Sequence, residues 1–529
     1  MWVTLLAVIM LTSAVRIRLR DVPLERDEGE YAYAGQLILQ GIPPYSQVYN
    51  MKMPGIYAAY ALILAVFGQT CSGIHLGLLV INAVTVLLLF LLVKKFLDPL
   101  AALVAAAAFA LLSLGQMVLG FTANSEHFVI FFAVGGILLL VHAVERQKWM
   151  ALLGGAVLLG VAFLMKQHGA AFIIFAGLYL LFSELRRPPF IWEKFVAAGI
   201  LFLVGVLLPF VATCLVLKQL GVFGKFWFWT FVYAQKYVSS VPFLWGVQEL
   251  ARQMTAIVKS AVLIWILAGI GLTALFWNKK TKCHRIFVGG FLLFSFLSIC
   301  PGLYFREHYF ILLLPAVAVL AGVGAASILD IFSRSRPLFV ANMMPALLFL
   351  VALLSAVYQQ KNFFFVMSPT MVSRFVYTLN PFPESLEIAR FLRENSSEND
   401  RIAVIGSEPQ ICFYADRRSA TGYIYTYALM ENHSYARKMQ EEMIGEIETA
   451  SPKFLIFVNV PTSWLLRPDS EQMIFKWFQQ YQQKYYQLVG IIDILGMDKT
   501  LYRWGKDAST YSPRSMYWLA VFQRTNREY

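Results

Sequence analysis

The chain has 529 residues, 59% of them hydrophobic and only 14% charged, with a formal net charge of +13 at pH 7. Soluble domains run near about 45–50% apolar and about 25% charged, so composition excludes an ordinary soluble protein and points to a polytopic membrane protein. The basic residues sit mostly in short loops between apolar runs and form no aromatic-interleaved patch, which argues against nucleic acid as a partner.

Apolar runs of roughly 17 to 25 residues cross a bilayer. On that measure eleven transmembrane helices are expected, at 2–15 (short), 74–93, 101–119, 124–143, 150–165, 169–183, 196–217, 260–277, 286–300, 308–329 and 338–357. The first run lacks a basic lead and a small-x-small cleavage motif before Arg16, so it reads as an uncleaved helix rather than a signal peptide. The five cysteines are scattered and show neither a disulfide framework nor zinc spacing.

Lys and Arg in short loops set the orientation. With the N-terminus inside, the cytoplasmic loops hold Lys94 and Lys95, Arg146 and Lys148, Arg186, Arg187 and Lys194, Lys279, Lys280, Lys282 and Arg285, and Arg334 and Arg336. The short outer loops hold only Lys166 and Arg306. Arg16, Arg18 and Arg20 run against this pattern, in a long loop where the rule is weak. The outer face then carries 16–73, 218–259 and everything after 358.

Taken in order, the first outer loop carries Arg26-Asp27-Glu28-Gly29-Glu30-Tyr31, a short helix expected over 30–39, a Pro43-Pro44 stop and an apolar helix over 56–67 too short to span. Such helices are expected to lie along the membrane interface. Residues 222–245 concentrate aromatic side chains from Phe223 to Trp245, readable as an interfacial belt or as a mouth for a lipid chain. The composition then divides the chain into a membrane domain, 1–360, and an outer domain, 361–529. In the latter, strands at 401–406, 454–460, 488–494 and 516–522 and helices at 383–395, 433–450 and 469–485 suggest a small α/β domain. It has neither a dinucleotide nor a phosphate-loop motif, and support or acceptor docking is its expected role.

Candidate chemistry gathers on the outer side. Asp27, Glu28 and Glu30 fit a general base tuned by neighbouring charge, and equally an acidic first turn that caps a helix. Lys52, before Pro54-Gly55, suits a phosphate or a snorkelling interfacial position. Glu126 and His127 open a span and suit a divalent cation or a sugar, against a helix cap by Asn124 or Ser125. Lys166-Gln167-His168 breaks two apolar runs. Arg306-Glu307-His308-Tyr309 offers a guanidinium to phosphate oxygens, or an internal Arg306–Glu307 pair.

Asp27-Glu28-Gly29-Glu30-Tyr31-Ala32, Lys52-Met53-Pro54-Gly55-Ile56-Tyr57, Asn124-Ser125-Glu126, the Gly160 to Lys166 run and Arg306-Glu307-His308-Tyr309 before Pro315 together resemble the C-type, polyprenyl-phosphate-dependent glycosyltransferases. Within these they resemble the protein mannosyltransferase and aminoarabinose transferase superfamily, over roughly residues 20–330. The resemblance implies an inverting transfer from a polyprenyl-phosphate sugar with Asp27 as the catalytic carboxylate. Met51 stands where the aminoarabinose transferases have a Glu before the lysine, and Met53 where they have proline. That departure removes the carboxylate on which a metal site there would be built.

The expectation is thus a cell-envelope glycosyltransferase of a bacterial-type inner or plasma membrane, with catalytic face and C-terminal domain extracytoplasmic. Asp27 and Glu28 are its catalytic candidates, and Lys52, Lys166, Arg306, His308 and Tyr309 its donor-phosphate candidates. Glu30, Glu126 and His127 remain for the acceptor or a divalent cation, while membrane lipids and a protein, lipid or glycan acceptor are the expected partners. The alternative is a transporter or flippase of a lipid-linked or anionic solute.

Overall fold

The computed structural model describes residues 1–333 and 338–525, and for 338–342 the backbone alone. Arg334 and Arg336, counted in the charge asymmetry, lie outside the described residues. Apolar helices stand at each expected place, but not all are long enough to cross alone. Among the described residues six are both long and apolar enough: Trp2–Leu19, Cys71–Lys94, Ser125–Arg146, Gln167–Leu185, Trp192–Gln219 and Leu314–Ser333. Val262–Trp277 joins Phe243–Ser260 at a 106° bend, and Pro99–Leu112, Trp149–Met165 and Arg285–Ile299 are shorter. With these apolar helices, the chain is an integral membrane protein.

Small residues set the helix packing, as expected where lipid supplies no hydrophobic drive between helices. A Cβ on Gly271 would come within 1.9 Å of the Leu320 carbonyl oxygen, and one on Gly136 within 2.8 Å of the Gly155 oxygen. Leu314–Ser333 is therefore enclosed, with 78% of its apolar window buried, whereas Trp192–Gln219 faces outward with 22%.

The expected span at 101–119 ends early, at Leu112, because the chain turns through Gly115 and a left-handed Leu119 before restarting at Ser125. This break explains the misplaced arginines. Arg16 is buried and donates to the carbonyls of Ser113 and Gly120, at 3.0 and 2.9 Å, while Arg18 donates to those of Phe363 and Met367. Both guanidiniums satisfy backbone oxygens at broken helix ends. They are packing elements rather than loop charges.

The acidic cluster begins a longer helix than expected, Arg26–Leu39. Its cap is Glu25, whose carboxylate accepts from the Asp27 and Glu28 amides while Glu28 reaches back to the Glu25 amide. Eleven of its fourteen residues are buried, so protein surrounds most of this helix. It is held between Pro54–Phe67 on one side and Pro409–Ala415 on the other. Close approaches at Gly29 to Gln410 and at Gly35 to Ala61 permit this. Segment 218–259 is likewise mostly helical, in the pieces Phe223–Trp227, Phe228–Tyr233, Ala234–Val238 and Phe243–Ser260.

The C-terminal part carries one five-stranded sheet, β1 (Ile402–Ile405), β2 (Phe454–Asn459), β3 (Tyr486–Ile494), β4 (Thr500–Trp504) and β5 (Trp518–Arg524), in the order β1-β2-β5-β3-β4. Only β1 and β2 pair in parallel; the remaining pairs are antiparallel. The expected helices appear as Phe382–Glu394, Ala436–Ala450 and Met473–Tyr485. Sequence reading missed β4, whose residues are all half-buried and lack a clean alternation, and Pro409–Ala415, which is only two turns long. Ile402 of β1 and Ile411 and Phe413 of that helix belong to the same core cluster as Leu24, Tyr33 and Leu37. The C-terminal part is therefore packed onto the first loop helix, not tethered.

Candidate active site

Where the loop helices, the membrane helices and the C-terminal part meet, they enclose a cavity of about 310 Å³. One wall carries Asp27, Met51 and Lys52, a second Trp229, Tyr233 and Tyr237, a third Arg306, His308 and Tyr309, and the roof Tyr425, Tyr427, Glu431 and Arg467. Of the 222–245 aromatics, three thus line the cavity, while Trp227, Phe243 and Trp245 are exposed. Both readings of that segment find residues that fit them.

Asp27 is the carboxylate of the 27–30 cluster that faces the cavity. Its Oδ2 lies 2.8 Å from Lys52 Nζ, and its Oδ1 accepts from the Tyr425 hydroxyl at 3.2 Å. Burial works to raise its pKa, but the Lys52 ammonium, helped by His308 and Lys166, overrides this and holds it at about 2. Lys52 shows the reciprocal balance: burial lowers it, yet Asp27 and the surrounding acids carry it well above the ordinary lysine value. The pair is ionised across the neutral range.

Successive helix residues are turned by ~100°, so one helix start cannot present all three acids to one space. Glu28 points away from the cavity and is fully buried, accepting from the Ala123 amide at 2.6 Å and lying 3.0 Å from His75 Nε2. Its place among the catalytic candidates is corrected on this geometry: it ties helices together. Glu30 sits beneath the cavity, bonded to Asn50 and Tyr57. Burial raises its pKa to about 7, with Lys52 opposing and Asp27 reinforcing.

Lys52 and Lys166 are brought together because Pro54–Phe67 docks on the end of Trp149–Met165, where a Cβ on Gly55 would meet the Leu164 oxygen at 2.4 Å. Lys166 donates to Glu126 and stands 4.0 Å over the Tyr309 ring. His308 Nε2 is 3.9 Å from Glu126 Oε1. Burial lowers the His308 pKa, with Glu126 opposing and Lys166 reinforcing. Glu126, Lys166 and His308 thus form a second charged layer beside Asp27–Lys52.

Arg306 lies 5.5 Å from the Tyr304 ring, and among the described residues it has no ion pair; Glu307 instead accepts from Gln253. The internal Arg306–Glu307 pairing is not formed. Neither is the helix cap at Asn124, whose side chain bonds Thr122. His127 is buried away from the cavity, with Nε2 lacking a hydrogen-bond partner among the described residues.

A resident divalent cation does not fit this donor set. Among the described residues no three of His, Cys, Asp or Glu converge, the acids Asp27 and Glu126 are each matched by a lysine, and Met51 offers no carboxylate.

Sequence reading missed Arg26, Tyr425, Tyr427, Glu431 and Arg467. Arg26 makes a buried pair with Glu408 at 2.7 Å and donates to Ser407, Asn380 and Tyr427. A signal for the tyrosines was present in the alternation Tyr423-Ile424-Tyr425-Thr426-Tyr427.

Residues 52–213, less than a third of the chain, match the family model described as dolichyl-phosphate-mannose-protein mannosyltransferase. No curated protein sequence matches the chain. Among solved structures, ArnT from Cupriavidus metallidurans bound to undecaprenyl phosphate superposes with a TM-score of 0.61 at 14% identity, covering 98% of this chain and 97% of that one. The archaeal oligosaccharyltransferase AglB from Archaeoglobus fulgidus, in complex with an inhibitory peptide and a dolichol-phosphate, gives a TM-score of 0.52 at 12% identity, covering 95% of this chain and 74% of that one. Residues 52–213 are thus similar to a mannosyltransferase family, and the fold of the whole chain, membrane helices and C-terminal sheet together, is similar to that of ArnT and AglB.

Proposed function

We propose that the chain is a membrane glycosyltransferase that moves a sugar from a polyprenyl-phosphate donor to an acceptor hydroxyl on the extracytoplasmic face, with inversion. The observation that carries this reading is the convergence of one ionised carboxylate, Asp27, with Lys52, Arg306 and His308 on a single cavity. The lipid phosphates named for the two similar structures support the donor class.

In this reading Asp27 takes the acceptor proton as its oxygen attacks the anomeric carbon, and the carbon–oxygen bond to phosphate breaks with its electron pair leaving on the phosphate. Lys52 and Arg306 stabilise that charge, with Lys166 and Tyr309 behind them. A phosphate arriving at Lys52 also places a negative charge near Asp27 and raises its pKa from about 2 toward the range of an effective base. Glu30, Glu126 and His127 act as support for the pairs facing the cavity. The membrane part, 1–360, carries the reaction, and the C-terminal part, 361–529, closes it.

The transporter reading is weaker. Ser125–Arg146 has Glu126 at one end and Arg146 at the other, and Trp149–Met165 holds no charge between its flanking lysines, so charges gather at helix ends rather than at a midplane. Asp27→Asn separates the readings. It keeps the shape of the side chain, so it should insert and fold yet lose release of polyprenyl phosphate from a lipid-linked sugar in proteoliposomes. Undiminished turnover by that variant removes the glycosyltransferase mechanism.

A further inference from the structure

We propose that Tyr425, from the C-terminal part, is a positioning residue for Asp27, so that the reaction site is complete only when the C-terminal part is docked. The proposal rests on Asp27 being the base.

Tyr425 reaches Asp27 across 398 residues of sequence. Its hydroxyl donates to Oδ1 at 3.2 Å while Lys52 holds Oδ2 at 2.8 Å, so each oxygen of the carboxylate has one fixed partner. A carboxylate oxygen accepts along two lone-pair directions, which leaves Oδ1 one direction open to an incoming hydroxyl. The carboxyl plane is therefore fixed without being blocked. The tyrosine is itself braced: its ring meets Tyr427 edge to face at 4.7 Å, and the Tyr427 hydroxyl donates to the Thr462 carbonyl at 2.6 Å.

The C-terminal part also grips the residue next to Asp27. Arg26 is held by Tyr427, by the Ser407 carbonyl and by the buried Glu408. Side chains 26 and 27 are thus fastened to one unit through separate contacts, one structural and one directed at the carboxylate. A merely structural role for Tyr425 is already covered by its neighbours, and its hydroxyl has Asp27 as the one hydrogen-bond partner among the described residues. The hydroxyl is aimed into the cavity that it lines.

The test uses the full-length protein in proteoliposomes with undecaprenyl-phosphate mannose and, separately, undecaprenyl-phosphate aminoarabinose as donor probes, alongside infrared titration of Asp27. Tyr425→Phe keeps the ring and removes the donor, and should fold normally. Because Lys52 holds Asp27 ionised down to a pH of about 2, the titration is read in the Lys52→Met background. Adding Tyr425→Phe there should raise the Asp27 midpoint by about one pH unit, since a hydrogen bond to the charged form is lost. With Lys52 intact, Tyr425→Phe should lower kcat by about tenfold and leave KM for the donor unchanged. An unmoved midpoint, with Asp27→Asn inactive, overturns the role of Tyr425 alone. Transfer by Asp27→Asn overturns the base reading and, with it, the catalytic role given to Tyr425.

Discussion

Replacing Lys52 by methionine tests the electrostatics of the site directly. In the folded protein Asp27 is depressed from an ordinary 3.8 to about 2, against a burial effect of opposite sign, with Lys52 the largest opposing cause. That depression corresponds to about 2.5 kcal/mol in favour of the ionised form. A group with a lowered folded pKa contributes stability that is present above its unfolded value and lost as pH falls through the folded one. For Asp27 this window runs from 3.8 down to about 2, so at neutral pH the contribution is fully present. Lys52→Met removes it and leaves burial unopposed by the closest cation, which carries the Asp27 pKa above 3.8.

Three results follow from that balance. The melting temperature, read by intrinsic fluorescence in detergent at pH 7, falls by the equivalent of at least about 2.5 kcal/mol. The double variant with Asp27→Asn recovers most of the loss, because it no longer buries an unmatched charge. The acidic limb of kcat/KM, invisible in the parent above pH 4, moves into the measurable range, while KM for the lipid donor rises because the phosphate loses a cation. A Lys52→Met protein with parental stability, donor KM and pH profile refutes the pairing and the phosphate role together.

Two further changes address the surroundings. Arg26→Met strands Glu408, which is fully buried, and should cost about 3–5 kcal/mol of docking between the C-terminal part and the membrane helices; protease sensitivity near residue 380 with the membrane helices still folded is the expected readout. Glu30 has its pKa raised from 4.5 to about 7, so its favourable contribution is complete below 4.5 and is lost as pH rises through about 7. Glu30→Gln should therefore flatten the fall in melting temperature between pH 5 and 8 by the equivalent of about 3 kcal/mol, and an unchanged slope refutes the assignment.

The chemistry of the chain was legible in the sequence, and its geometry was not. Hydropathy marked an apolar helix at each place where one stands, because a membrane helix must be apolar over its whole exposed length. The charges at 27, 52, 166 and 306 stood out because ionisable groups are rare in such a chain. Helix rotation then decided that Asp27 faces the cavity while Glu28 faces His75, a choice that the string Asp-Glu-Gly-Glu cannot express. The early stop at Leu112, and the use of Arg16 and Arg18 to satisfy carbonyls about a hundred and about 350 residues away, are long-range hydrogen bonds that local propensity does not register.

What the sequence by itself determined is a membrane protein with a few chemically distinctive loops and a separate C-terminal α/β composition. Only the tertiary structure decided that Tyr425 belongs with Asp27 and Glu408 with Arg26. Packing the C-terminal part against Arg26–Leu39 brings residues nearly four hundred positions apart within hydrogen-bond distance. Such contacts depend on where whole elements dock, and docking is set by buried apolar faces and close glycine approaches such as Gly29 on Gln410.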